Sequence, residues 1–148
     1  MFYAFLKMLV RIALWVFYRR LVLNLPKEMP TKGPLIVVSN HPNTLMDPIV
    51  IASFLKPQIY FLAKGTLFSS PFKKWLLGQF NMIPIYRKED LQEGVSNEAV
   101  FQKCFEFLSS EGTLLIFPEG TSIHERNLRE LKTGTARIAL GAEAENDF

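Results

Sequence analysis

This sequence predicts an α/β domain, a mostly parallel or mixed sheet flanked by helices, preceded by an amphipathic helix that anchors the chain to a membrane. Three observations carry that expectation. Short apolar runs alternate with stretches of helical periodicity across residues 33–148. The first 25 residues, MFYAFLKMLVRIALWVFYRRLVLNL, are apolar nearly all round, rich in aromatics and free of acids. A breaker cluster, Pro26, Pro30, Gly33 and Pro34, separates the two regions. At 148 residues the chain is long enough for one core and short for two. Its single cysteine, Cys104, rules out an internal disulfide and a four-thiolate zinc site.

The leading segment, residues 1–25, is read as a helix lying in the membrane interface. Its longest uncharged run, Ile12 to Tyr18, is well short of the ~18 residues of a plain spanning helix. A helix over residues 2–23 would extend roughly 33 Å. Lys7, Arg11 and Tyr18 would form a narrow polar stripe on it, and Arg19 and Arg20 near its end would snorkel to headgroups. Two cations inside the apolar region, and no small-residue cleavage site after it, argue against a secretory signal. A buried core helix and an ordinary spanning helix are the competing readings.

Charge is distributed to match. Residues 1–32 hold six Lys/Arg and one acid, Glu28, whereas residues 33–148 hold eleven bases and thirteen acids. The basicity belongs to the leading segment and not to a globular face, which speaks against nucleic-acid binding and for association with the cytoplasmic face of a membrane.

Within the body, Leu35–Val38, Ile59–Ala63, Met82–Tyr86 and Thr113–Phe117 read as strands, with Pro84 pushing the third towards a sheet edge. Helical patterns lie at Asp47–Leu55, Pro71–Phe80, Asn97–Ser109 and Leu128–Leu140. The third of these places Val100, Phe101, Cys104, Phe105 and Leu108 on one face, with Ser96 suited to cap its start. The chain stops directly after the last pattern, at AEAENDF, so a domain truncated at its carboxyl end is expected.

In an open α/β sheet, chemistry gathers beyond the carboxyl ends of the strands, and three such ends here are unusually polar. The first, SNHPNTLMDP, offers His41 as a base suited to neutral pH and Asp47 as a carboxylate able to fix its tautomer. Taken alone, a loop histidine and a helix-capping aspartate are the simpler explanation of this pair. The second, IPIYRKED, sets Arg87 and Lys88 after a strand, cations suited to phosphate or simply solvated. In the third, LLIFPEGTS, Gly120 would let the backbone approach a ligand and Glu119 would hold a ligand hydroxyl, or cap a helix. There is no G-x-S-x-G elbow, no complete phosphate-binding glycine loop, and no second histidine to make a zinc helix with His124.

NHPNTLMD, IPIYR and FPEGTS, in this order behind an amphipathic anchor, resemble the glycerol-phosphate and lysophosphatidate acyltransferase family, over roughly Leu35 to Leu140. The resemblance implies transfer of an acyl chain from an acyl-CoA or acyl-carrier-protein thioester to a glycerol-phosphate hydroxyl, with no metal and no other cofactor. It assigns catalysis to His41 and Asp47, acceptor-phosphate binding to Arg87, and acceptor contacts to Glu119 and Gly120. Lys64, which follows the second strand, and Lys132, which precedes Gly134, are added as partners of Arg87 in a phosphate clamp, and Thr121 as a further binding candidate. The implied partners are membrane lipids, the acyl donor and a glycerol-phosphate acceptor. Two departures stand out. Five residues separate His41 from Asp47 where the family usually has four, and the family's downstream Pro-rich strand is missing. A non-catalytic membrane-binding protein of this fold, and a lipid hydrolase or transacylase, are the alternatives.

Overall fold

The computed structural model describes residues 2–22, 24, 30, 32–44, 46–86, 98–122, 127 and 129–146. Helix α1 (Phe2–Phe17) leads, followed by β1 (Leu35–Val38), α2 (Met46–Phe54), β2 (Ile59–Lys64), a 3₁₀ turn (Gly65–Phe68), α3 (Pro71–Gln79), β3 (Met82–Ile85), α4 (Glu98–Ser109), β4 (Thr113–Ile116) and α5 (Gly134–Asn146). The four strands form one sheet in the order β1-β4-β2-β3, and every neighbouring pair is parallel.

Strand β4 is the centre of this arrangement because all four of its residues are buried. The two-residue period of a strand sends Leu114 and Ile116 to one face and Leu115 to the other. On the first face they meet Cys104 and Leu108 of α4 and Ile138 and Ala142 of α5. On the second, Leu115 packs with Leu55 and Ile59, under Ile51 and Ala52 of α2. A parallel sheet covered on both sides needs this continuous apolar strand. Cys104 is fully buried, and that burial pushes its thiol up to about 11. It is packing material at ordinary pH.

Pro84 falls on the edge strand β3, opposite Ala63, where its missing N–H need not serve a second neighbour. Strand β2 runs one residue further than the apolar run suggested, so Lys64 is its last residue and pairs with Ile85. The final helix is displaced from its expected span of 128–140. The backbone before it is tied to the β4 turn by Lys132 N–H donating to Pro118 O at 2.8 Å, and the helix starts only at Gly134. The expected Ser96 cap lies outside the described residues.

Helix α1 departs most from expectation. It ends at Phe17 instead of continuing to residue 23, and its polar stripe faces the protein. Lys7 Nζ donates to Leu55 O, and Arg11 Nε donates to Ser53 O at 2.5 Å. Tyr3 Oη accepts the Ile59 N–H at 3.5 Å. Burial, and secondarily Arg11, hold the Lys7 ammonium below its ordinary value. Leu14 is buried, while Phe5, Met8, Ile12, Trp15, Val16 and Phe17 are exposed, Trp15 at 80%. Among the described residues, no helix is long and apolar enough to cross a membrane.

Leu115→Ala should lose about 2–5 kcal/mol of stability in urea unfolding, the usual cost of a buried cavity. Leu140→Ala, at a position 66% exposed, should change stability by no more than about 0.5 kcal/mol.

Candidate active site

The site follows from strand order. The helix after β1, α2, covers one face of the sheet, and the helix after β4, α5, covers the other. Because β1 and β4 are neighbours, the chain leaves their carboxyl ends in opposite directions and opens a crevice between them. His41 enters this crevice from β1, and Phe117 to Ser122 enter it from β4.

The five-residue spacing between His41 and Asp47 is absorbed by a tight turn. Asp47 stands in the first turn of α2, where a carboxylate is favoured by the helix dipole. Its N–H donates back to Asn43 O at 3.2 Å. Its Oδ2 accepts the Asn43 N–H at 2.7 Å and lies 3.1 Å from His41 Nδ1. An ionised carboxylate only accepts, so Nδ1 is the protonated ring nitrogen and Nε2 carries the free lone pair. The imidazole also stacks on Phe117, with ring centroids 3.9 Å apart and planes 15° from parallel. One edge and one face of the ring are thereby fixed. The two side chains keep only 14% and 19% of their exposure.

Glu119 does something the sequence did not suggest. It is 7% exposed, and its Oε1 accepts the backbone N–H of His41 at 3.3 Å. The carboxylate therefore joins the β4 turn to the β1 turn, rather than standing open to a ligand hydroxyl with both oxygens. A second tie is Thr44 Oγ1 donating to Ser122 Oγ at 2.9 Å. Gly120 is required by conformation: its φ is +68°, and its N–H closes a turn onto Phe117 O at 3.0 Å. A Cβ there would come within 3.0–3.1 Å of the Lys132 side chain, Nζ included, so this lysine lies directly over the FPEG turn.

His41, Gly120, Thr121, Lys64 and Lys132 border one cavity of about 1010 Å³, with Asp47 and Glu119 behind the histidine and outside its lining. Beyond this polar end the walls are apolar, from Leu62 and Ile85 to Leu77 and Phe80, and they reach Leu6 and Val10 of α1. Arg87 lies outside the described residues, so the structure brings together His41, Asp47, Glu119, Gly120, Thr121, Lys64 and Lys132 without it. Two contributors escaped the sequence reading. Phe117 looked like the last residue of a core strand, and no pattern marked it as the floor under the imidazole. Thr135 lines the same cavity with a buried hydroxyl that has no hydrogen-bond partner among the described residues.

Comparison with known proteins identifies the family and the fold. Residues 20–145 match the family model described as Acyltransferase. The chain is similar to a probable 1-acyl-sn-glycerol-3-phosphate acyltransferase of Mycoplasma pneumoniae, at 32% identity over 90% of this chain and 50% of the relative. It is also similar to an N-acylphosphatidylethanolamine synthase of Arabidopsis thaliana, at 31% identity over 79% of this chain and 43% of the relative. The chain thus spans half or less of the length of these two relatives. Its fold is shared with the crystal structure of the 1-acyl-sn-glycerophosphate (LPA) acyltransferase PlsC from Thermotoga maritima, with a TM-score of 0.71 and 22% identity, covering 95% of this chain and 53% of that one.

Two glycine substitutions should move stability in opposite directions. Gly120→Ala should cost about 1–2 kcal/mol, because an L-residue is forced into left-handed backbone. Gly78→Ala, in α3 with open space around the new methyl group, should gain up to about 1 kcal/mol from helix propensity. Parallel urea titrations of the two variants read both signs.

Proposed function

The chain belongs to the glycerol-phosphate and lysophosphatidate acyltransferase family, and we propose that it moves a fatty acyl group from an acyl-CoA or acyl-carrier-protein thioester to a hydroxyl of lysophosphatidate or glycerol 3-phosphate. The observation that carries this reading is the His41–Asp47 pair, with Nδ1 engaged at 3.1 Å and Nε2 left for a substrate proton. In the proposed step, Nε2 takes the proton of the acceptor hydroxyl as its oxygen forms a bond to the thioester carbonyl carbon. The carbon–sulfur bond of the resulting tetrahedral intermediate then breaks, and the thiolate leaves with the proton returned by the imidazolium. Asp47 orients the ring and stabilises its cationic form, as in other His–carboxylate pairs. No further cofactor enters this scheme.

Lys132 and Lys64 border the polar end of the cavity, and with Arg87 they form the proposed clamp for the acceptor phosphate. The apolar remainder suits an acyl chain, whose burial contributes about 0.8 kcal/mol per methylene. Residues 1–25 are the proposed interfacial segment and residues 33–148 the acyltransferase domain, working at the cytoplasmic face of the membrane. The outward apolar face of α1 supports that division: side chains such as Ile12, Trp15 and Phe17 point away from the protein, where a bilayer would receive them.

Purified protein with labelled acyl-CoA and lysophosphatidate or glycerol 3-phosphate tests the reading directly. Acylated glycerophosphate is the expected product. Release of free fatty acid would instead indicate a hydrolase, acylation of phosphatidylethanolamine nitrogen would match the N-acylphosphatidylethanolamine synthase of Arabidopsis thaliana, and no turnover would leave a lipid binder. His41→Ala should lower turnover by roughly 10²–10⁴-fold, the worth of a positioned general base. Lys132→Ala and Arg87→Ala should chiefly raise the KM for the phosphorylated acceptor, while a phosphate-free acceptor should be unaffected.

A further inference from the structure

The carboxyl-end crevice and α1 leave one surface unexplained. Helix α3 buries none of its residues, and large apolar groups stand out along it and just before it: Phe72 is 66% exposed, Trp75 60% and Leu67 51%. Phe72 and Trp75 are three residues apart and therefore share a face, with ring centroids separated by 6.2 Å. Between and beside them stand Lys73 and Lys74, both exposed. A nine-residue helix covers only about 13.5 Å, far too little to span a bilayer. It is long enough to lie on one.

We infer that α3 is a second bilayer-docking element, which places Phe72, Trp75 and Leu67 among lipid headgroups and acyl chains while Lys73 and Lys74 meet anionic phosphates. Charge identifies the occupant. Between Asp47 and Glu89 the chain holds no acidic residue, and within that interval Lys73 and Lys74 are the two cations on α3 itself. A second copy docking through the same face would bring like charges together. An anionic phospholipid surface pairs them, and aromatic rings with flanking lysines are the side chains that settle at a headgroup boundary. Position supports the same occupant. The inner side of α3, at Leu77, and the following Phe80 line the cavity that Leu6 and Val10 of α1 also line. The two outward apolar surfaces therefore flank one cavity, and a bilayer touching both would lie across its apolar end. The inference uses the proposed α1 anchorage only for this last step.

The chain contains two tryptophans, Trp15 in α1 and Trp75 in α3, so each element has its own reporter. Both are exposed, and replacing either with Phe leaves the core intact. The full chain is titrated with phosphatidylcholine vesicles, with and without phosphatidylglycerol, carrying brominated acyl chains. In Trp15→Phe, the Trp75 emission should shift to the blue and be quenched by the anionic vesicles. Adding Lys73→Gln and Lys74→Gln should weaken that binding about twenty-five-fold, roughly fivefold for each lysine. Trp75 emission unchanged by vesicles that quench Trp15 in Trp75→Phe would overturn the inference. So would a blue shift that grows with protein concentration in the absence of vesicles, which would assign the face to a second copy. Quenching of Trp75 without Trp15 would sustain it and instead remove the α1 anchorage. The acyl-transfer assay is scored separately, so failure of the proposed chemistry leaves this result readable.

Discussion

Two cations on an apolar helix set the orientation of everything around them. In contact with hydrocarbon, Lys7 and Arg11 would each carry a large desolvation cost. Here they donate to Leu55 O and Ser53 O, carbonyls at the carboxyl end of α2, where the helix dipole also favours positive charge. Satisfying them inward rotates α1 so that its aromatic and aliphatic side chains face outward. A helix whose charges faced solvent would have presented the opposite side. The pattern that read as an interfacial stripe is thus an inverted amphipath, polar towards protein and apolar away from it.

Helix α2 carries this arrangement to the crevice. Its carboxyl end holds the α1 cations, and its first turn holds Asp47, which fixes His41. The same nine residues join the outward-facing helix to the imidazole, with an acid at one end and cations at the other. From the far side, Glu119 grips the His41 amide and Phe117 supports its ring. The histidine is held through backbone, ring face and ring nitrogen by three groups from two places in the chain, α2 and the turn after β4. Local sequence alone would hold it far less tightly.

Much of this was legible in the residues. The apolar run of β4 requires burial on both sides, as it has, which points to a parallel sheet covered by helices, and Pro84 requires an edge; LIVV reads the same way but forms an end strand that stays half-exposed. FPEG with an upstream His and Asp pointed to the crevice between β1 and β4. What could not be read depended on partners distant in sequence. Glu119 offers the same letters whether it binds substrate or the His41 amide, and only the pairing of β1 with β4 brings that amide to it. Lys7 and Arg11 looked like lipid-facing charges because the carbonyls they satisfy lie more than forty residues away. The last helix was misplaced for a similar reason. Leu128 to Lys132 fits a helical period, but the Lys132 amide is claimed by Pro118 O.

The strand order carries a consequence for how such a chain comes into being. β1 has one neighbour, β4, and 74 residues lie between the end of the first at Val38 and the start of the second at Thr113. While the chain is being synthesised, β1 therefore lacks its β4 partner until those 74 residues have emerged, and β2 lacks the same partner from Lys64 to Thr113. Long-range parallel pairing of this kind is slow and leaves unpaired backbone exposed to aggregation. As the proposed bilayer-docking element, α1 is made before β1 and would let the chain settle on lipid before β4 is complete, so that assembly around β4 would proceed at a surface instead of in bulk water.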